Sequence, residues 1–272
     1  MKTTFIGGGN MASAIIGGLV ARGARPADIR VVEPAPMQRE RLTARLAGVG
    51  LHSATSAAAV EGADVIVLAV KPQQMREAAR ALSAHVNAVP LVLTIAAGVR
   101  CAEVSRWLDG YPRIVRAMPN TPALVGAGIS ALYAMPDAKD VAQLAAQVLE
   151  ACGEIMWCRR EDELDAVTAV SGSGPAYVFY FLEALEQAAI ELGLPADEAR
   201  RLAYATFEGS VRLARESSDP PATLRANVTS KGGTTARALD VLNDANVAAH
   251  FIAAVKAAAA RATELGDALA KD

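Results

Sequence analysis

Gly7-Gly8-Gly9-Asn10-Met11-Ala12 joins an apolar run, Thr3–Ile6, to a helix-like stretch, Met11–Arg22. It fits the pattern G-x-G-x-x-G/A, with Ala12 in the third small position. Each small residue answers a physical demand. Gly7 permits the tight turn out of a strand. Gly9 carries no Cβ, so a pyrophosphate can come close to the backbone. Ala12 lets helix and strand pack tightly, and the helix N-terminus offers free N–H groups and partial positive charge. A glycine turn built for packing alone would satisfy the bare pattern. Between a strand and a helix, at the head of an α/β stretch, it reads as a dinucleotide site.

Outward from this loop, short apolar runs alternate with helical ones. Strands are expected at Thr3–Ile6, Ile29–Glu33, Val65–Val70, Leu91–Ile95 and Ile114–Ala117, each rich in Val, Ile or Leu. Several lack polar alternation, as strands covered on both faces do. Helices are expected at Met11–Arg22, Met37–Leu46, Gln73–Ala84 and Cys101–Leu108. Ile129–Tyr133 and Glu154–Trp157 read as further strands around a helix at Ala138–Cys152. This alternation predicts a Rossmann-type doubly wound α/β sheet over residues 1–160.

The carboxyl ends of such strands bind the ligand. Glu33 ends its strand about twenty residues beyond Gly9, where an acid grips the ribose hydroxyls. A carboxylate there repels a 2′-phosphate and leans the reading to NADH. Arg39 and Arg41 start the next helix and could turn toward such a phosphate, which keeps NADPH open; a solvated strand end is the plain alternative for Glu33. Ala69-Val70-Lys71-Pro72 closes its strand on the cofactor path, with Lys71 facing phosphate or ribose, or solvent. Ala96 and Ala97, in Ile95-Ala96-Ala97-Gly98, are small enough for a flat nicotinamide ring or for a simple turn. In Met118-Pro119-Asn120-Thr121-Pro122, Asn120 presents its amide to the site or satisfies the local backbone.

From about Glu161 the strand runs stop. Residues 161–272 read as an all-α domain joined to the first through a helix. Its helices are expected at Ala176–Leu192, Ala196–Glu216, near Pro221–Ala226, at Thr235–Leu242 and at Val247–Ala270. Alanine is dense here and favours helix. Aromatic residues are only 4% of the chain, yet Tyr177, Phe179, Tyr180 and Phe181 crowd one helix. Such a helix is apolar around most of its circumference and needs burial on all sides, which points to a homodimer; a central helix of the domain is the alternative. Ser230-Lys231-Gly232-Gly233-Thr234-Thr235 opens a second helix without bulky side chains. It reads either as an anion site for a substrate carboxylate, with the Thr235 hydroxyl as a further donor, or as a capped interhelical loop. Ser171-Gly172-Ser173-Gly174-Pro175 gives Ser173 as an N-cap and Pro175 in a first turn. It lacks the preceding strand of a nucleophile elbow.

Composition excludes other classes. Hydrophobic residues are 52% and charged residues 21% of 272, and the formal net charge is −2. That is a chain with a sizeable core, not a disordered one. Residues 1–165 carry 17 basic and 16 acidic side chains, the rest 10 and 13. No basic half exists to neutralise phosphates, so nucleic-acid binding is not expected. No apolar run has the length of a membrane span, and Met1–Ile6 runs straight into the glycine cluster without the apolar stretch of a signal peptide, so neither is expected. Three cysteines without CxxC spacing and three scattered histidines argue against disulfides and a zinc site, and for the cytoplasm.

A dinucleotide enzyme that oxidises alcohols needs a base, and no histidine falls at a strand end. Reducing a C=N bond asks less: hydride placement and one hydrogen-bond donor to nitrogen. Here the motifs carry a resemblance. Gly7–Ala12, Ala69–Pro72, Arg116–Pro122, Ser171–Tyr177 and Gly232–Thr235 together resemble pyrroline-5-carboxylate reductases, in order along nearly the whole chain. The resemblance implies reduction of Δ1-pyrroline-5-carboxylate to L-proline by NADPH or NADH, with no metal. It implies a Rossmann domain, a helical dimerisation domain and often a ring of five dimers. Thr235 would bond the imine nitrogen, and Ser230 and the backbone of Gly233, Thr234 and Thr235 would hold the carboxylate. Ser56, Asn120 and Ala69–Pro72 would lie on the cofactor with Gly7, Gly9, Asn10, Met11 and Ala12. Many members carry Ser, Thr or Asn where this chain has Glu33. Two other classes fit less of the chain. A β-hydroxyacid dehydrogenase would need a lysine such as Lys231, Lys256 or Lys271, and a non-catalytic dinucleotide sensor would need no carboxylate site.

Overall fold

Thr3–Ile6 forms strand β1, with all four side chains buried. The computed structural model describes residues 1–270. After β1 come helix α1 (Asn10–Ala21), strand β2 (Ile29–Val32), helix α2 (Pro36–Arg45), strand β3 (Gly50–His52) and a single turn α3 (Ala57–Val60). Strand β4 (Val65–Leu68), helix α4 (Met75–Ser83), strand β5 (Leu91–Thr94), helix α5 (Cys101–Trp107) and strand β6 (Ile114–Met118) continue the alternation. Strand β7 (Gly128–Ala134), helix α6 (Ala142–Glu150) and strand β8 (Gly153–Trp157) complete the sheet.

The strand order is β3-β2-β1-β4-β5-β6-β7-β8. Among the described residues only β6 and β7 pair antiparallel. Two cores follow from the period-2 alternation of side chains across the sheet. Phe5, Val31, Val67 and Leu93 meet Ile15 and Ile16 of α1 and Val148 and Leu149 of α6. Ile6, Val32, Leu68 and Val92 meet Met75 and Leu82 of α4 and Val104 and Trp107 of α5. Each large side chain so buried stabilises the fold by about 1.5–3 kcal/mol.

The strand after β2 is one that the apolar runs did not predict: β3 has three residues, all half-buried. The strand expected over Ile29–Glu33 ends at Val32, and Glu33 follows it with its N–H donating to the His52 carbonyl of β3 at 2.9 Å.

The all-helical part begins with α7 (Glu163–Val167), which runs into a π-helical turn over Thr168–Gly172. Then come α8 (Gly174–Glu191), α9 (Ala196–Glu216), α10 (Pro221–Asn227), α11 (Thr234–Asp244) and α12 (Val247–Ala270). The chain divides into two compact units, one of Met1–Ser173 with the residues from Ala258 onward, the other Gly174–Ala257. In this division Glu161–Ser173 and the final turns of α12 count with the sheet. Contacts explain both. Leu164 of α7 is fully buried, and Asp165 pairs with Arg116 of β6 at 3.5 Å. From α12, Thr263 donates to Asp165 at 3.1 Å, and Asp267 pairs with Arg100 at 2.6 Å.

Ser173 is not the N-cap expected of it. Its backbone is helical (φ −84°, ψ −21°), and its N–H donates to the Thr168 carbonyl at 2.8 Å, inside the π turn. Within the second unit, Phe251 of α12 packs edge-on against Tyr177 and Phe181 of α8, with ring centroids 5.6 and 5.7 Å apart. Phe179 and Tyr180 on the same helix remain 63% and 68% exposed in the single chain. Among the described residues no helix is long and apolar enough to cross a membrane.

Candidate active site: a dinucleotide cleft and an uncapped helix start

Register places Ile6 of β1 beside both Val32 of β2 and Leu68 of β4. Here strand order reverses, and the chain leaves all three strands at their carboxyl ends, where open sheets take ligands. A cleft of about 510 Å3 occupies this point. Gly7, Gly8 and Gly9 form one wall, Glu33 and Pro34 a second, Ser53 to Thr55 a third, and Ala69, Val70 and Lys71 a fourth.

Two glycines of the loop are required for different reasons. Gly7 has φ +100°, and a Cβ there would meet the Ala69 carbonyl oxygen at 2.8 Å, so the turn itself demands glycine. A Cβ on Gly9 would meet nothing within 4 Å. The protein leaves that space open, and a pyrophosphate laid against the backbone would fill it. Gly9 is the N-cap of α1, and no side chain caps it. The N–H groups of Asn10, Met11 and Ala12 are thus the free first-turn donors, while Ser13 makes the first helical bond, to Gly9 at 2.9 Å. Ala12 is buried among the helix–sheet contacts. These residues fit a dinucleotide.

Glu33 is tied into the loop. Its carboxylate accepts the Gly8 N–H at 3.0 Å and the Ala35 N–H at 2.9 Å. Gln38 donates to the Gly8 carbonyl at 2.7 Å. The Arg39 guanidinium donates to the carbonyls of Glu33 and Pro34, each at 2.7 Å.

The remaining expected residues do not all meet in this cleft. Ser56 caps α3, accepting the Ala59 N–H at 3.4 Å, one residue past the Ser53–Thr55 wall. Pro72 and Ala97 line a separate cavity of about 240 Å3 with Gly98 and Thr168. Ala96 is buried in the core under α4 and α5. Asn120 is buried, and its side-chain carbonyl accepts the Ile129 N–H at 2.9 Å. That amide oxygen serves the local backbone, one of the two roles its sequence left open. The sequence missed Ser53, Ala54 and Thr55 as cleft residues, and Gln74, Glu77 and Ala78 on the α4 side. The first three follow β3, too short to show as an apolar run.

A charged cluster gathers where α7 meets strand β6. Arg116 is 3% exposed and reaches Glu161 at 3.1 Å and Asp165 at 3.5 Å. Glu161 also accepts the Cys101 N–H at 2.7 Å. Burial, reinforced by the Glu161 carboxylate, pushes the Cys101 thiol far above its ordinary value. It stays a thiol and is no nucleophile.

In the second unit, the loop before α11 builds a second helix start. Gly232 turns the chain at φ +72°, and the Gly233 N–H donates to the Ser230 carbonyl at 3.0 Å. Gly233 is the N-cap of α11, again without a side-chain cap. Thr234, Thr235 and Ala236 supply the free first-turn N–H groups, and Thr235 is half-buried. The Gly233 N–H, expected among the carboxylate donors, is occupied by the turn. Lys231 and Lys256 are exposed, and Lys271 lies outside the described residues.

Known proteins share both units. The family model described as pyrroline-5-carboxylate reductase dimerisation matches residues 161–265. A model described as NADP oxidoreductase, coenzyme F420-dependent, matches residues 2–98. The pyrroline-5-carboxylate reductase of Pseudomonas aeruginosa is 42% identical over 270 residues, covering 98% of each chain. That of Escherichia coli is 38% identical, covering 99% of this chain and 98% of its own. The solved structure of a pyrroline-5-carboxylate reductase from Coxiella burnetii superposes with a TM-score of 0.89 at 40% identity, covering 97% of this chain and 98% of its own. A Plasmodium falciparum pyrroline carboxylate reductase with NADP bound gives a TM-score of 0.87 at 27% identity, covering 98% of each chain. The chain belongs to the pyrroline-5-carboxylate reductase family.

Proposed function

We propose that this chain reduces the C=N bond of Δ1-pyrroline-5-carboxylate to L-proline with hydride from NADH or NADPH, the last step of proline biosynthesis. The observation that carries the reading, beside family membership, is the recurrence of one device on two units. An uncapped helix start follows a glycine N-cap at Gly9 and again at Gly233. The first suits the two phosphates of a dinucleotide. The second suits a single carboxylate.

When bound, the dinucleotide supplies the hydride. The chain's own residues bind and orient. The N–H groups of Thr234 and Thr235 donate to the substrate carboxylate, with the Ser230 hydroxyl beside them. The Thr235 hydroxyl donates a hydrogen bond to the ring nitrogen. It is far too weak an acid to protonate an imine outright, so its work is to fix the ring so that the neighbouring carbon faces the hydride. Solvent supplies the proton, and the C=N bond becomes CH–NH. Asn10, Met11 and Ala12 hold the pyrophosphate, and Glu33 the adenosine ribose. Lys71, Ser56 and Asn120 stay in the proposal as residues near the cofactor path.

The working unit is a homodimer that covers Phe179 and Tyr180, with a pentamer of dimers as the larger assembly. The three cysteines are unpaired thiols, which suits a reducing compartment, and the cytoplasm belongs to the same proposal. Initial rates with pyrroline-5-carboxylate and each reduced cofactor test the reading. Substrate-dependent oxidation of NADH or NADPH with proline as product is expected. Dinucleotide binding without turnover would leave only a dinucleotide-binding protein.

A further inference from the structure

We infer that Glu33 makes this chain an NADH enzyme, and that Arg39 braces the acid and does not bind a 2′-phosphate. The inference rests on the proposed use of the cleft and adds which dinucleotide fills it. The matching family model and one solved relative carry NADP in their descriptions, so the local chemistry here points the other way.

Glu33 lines the cleft at the carboxyl end of β2. Each carboxylate oxygen accepts one backbone N–H, from Gly8 and from Ala35. An ionised carboxylate has about four acceptor positions, so each oxygen keeps one for a ribose hydroxyl. The 2′- and 3′-hydroxyls of NADH are donors and match these positions. A 2′-phosphate is an anion at the same place and brings no proton to share. The two N–H groups that would otherwise receive it already serve the carboxylate.

The carboxylate is also fixed in place. Gly8, whose N–H it accepts, is pressed against the β2–α2 side: a Cβ there would meet Leu42 at 2.5 Å and Val31 at 3.3 Å. Arg39 at the start of α2 is a cation that could answer a phosphate. One of its terminal nitrogens is engaged with two backbone carbonyls at 2.7 Å, those of Glu33 and Pro34. Those bonds hold the backbone that carries the acid. Removing Glu33 would do two things: take away the charge, and free the N–H groups of Gly8 and Ala35 as a small anion nest.

The test is fluorescence titration of the full-length protein with NADH and with NADPH, without substrate, alongside kcat/KM for both. The unsubstituted protein should bind NADH at least roughly tenfold more tightly. Glu33→Ser should shift the NADPH-to-NADH affinity ratio by roughly tenfold to a hundredfold toward NADPH. Glu33→Gln, of equal shape, should shift it the same way by less and guards against misfolding of the serine variant. Arg39→Ala should leave the ratio within about threefold. Equal or tighter NADPH binding by the unsubstituted protein overturns the inference, as does a ratio that neither Glu33 variant moves. A selective loss of NADPH affinity in Arg39→Ala overturns it too. Failure of both dinucleotides to bind would sink the reductase reading along with it, whereas preferred NADPH binding would sink this inference alone.

Discussion

The starts of α1 and α11 have nearly the same backbone and opposite surroundings. Gly9 at the head of α1 has φ −70° and ψ −173°; Gly233 at the head of α11 has φ −80° and ψ 175°. Neither helix has a side-chain cap. Yet a Cβ on Gly9 would touch nothing, while one on Gly233 would run into the Ser230 hydroxyl oxygen. The space beside Gly9 is open to a ligand, whereas the space beside Gly233 is taken by Ser230 of its own turn. The first loop also sits over a sheet with a buried core on each face. Helices α8, α10 and α11 of the second unit bury no residue in the single chain. The first unit holds its own core, and the second leaves its apolar surface for the proposed partner to cover.

The sharpest way to break that contrast is to put charge on the exposed aromatic face. Phe179→Asp with Tyr180→Asp should weaken dimer association by about 4 kcal/mol, roughly a thousandfold. Dinucleotide binding at the first unit should survive. Sedimentation with a cofactor titration checks both; an unchanged dimer would mean that this face is not the interface.

The first unit should instead be vulnerable from within. Arg116→Met leaves Glu161 and Asp165 facing each other beside α7 without their cation. It should cost about 3 kcal/mol in denaturant unfolding of the sheet unit. A loss below about 1 kcal/mol would show that the ion pairs contribute little.

The smallest structural effect belongs to the glycine pair. Gly7→Ala forces a side chain to φ +100° against the Ala69 carbonyl and should destabilise by about 1–3 kcal/mol. Gly9→Ala, at an N-cap where glycine is favoured over alanine, should cost less, about 0.5–1 kcal/mol. It should still weaken dinucleotide binding by roughly tenfold, about 1.4 kcal/mol. Equal thermal stability and equal cofactor affinity in Gly9→Ala would mean that close approach of a pyrophosphate does not account for that glycine.

Much of this was legible from period and punctuation. Runs such as Leu91–Thr94 are continuously apolar because the sheet is covered on both faces, and the glycine loop announces its own turn. Ala196–Glu216 has the expected bounds because Pro195 opens it and Ser217 turns extended at its end. What escaped has physical reasons. Gly50–His52 is half-buried and three residues long, so it has neither a run nor an alternation to detect. Ser173 looks like a cap by composition, but a π turn carries the helix through it. The bond from Ile129 back to Asn120 closes an irregular loop, and the pairing of Asp267 with Arg100 joins residues far apart in sequence, neither of which a local pattern encodes. At the site, the cofactor loop was legible because its ligand is read by backbone. The Glu33 clamp was not, since nothing in the string shows which N–H groups a carboxylate will accept.

The most direct test of the division of labour between the two helix starts is Thr235→Ala, measured for turnover and for cofactor binding in parallel. Loss of one hydrogen bond to a polarised nitrogen should lower kcat/KM by roughly tenfold to a hundredfold, about 1.5–3 kcal/mol. Thr235→Ser, which keeps the hydroxyl, should lose much less. The dissociation constant for the reduced dinucleotide should barely change, because its phosphates belong to Asn10, Met11 and Ala12. Full activity in Thr235→Ala, or cofactor binding weakened as much as turnover, would contradict the assignment of Ser230–Thr235 to the substrate.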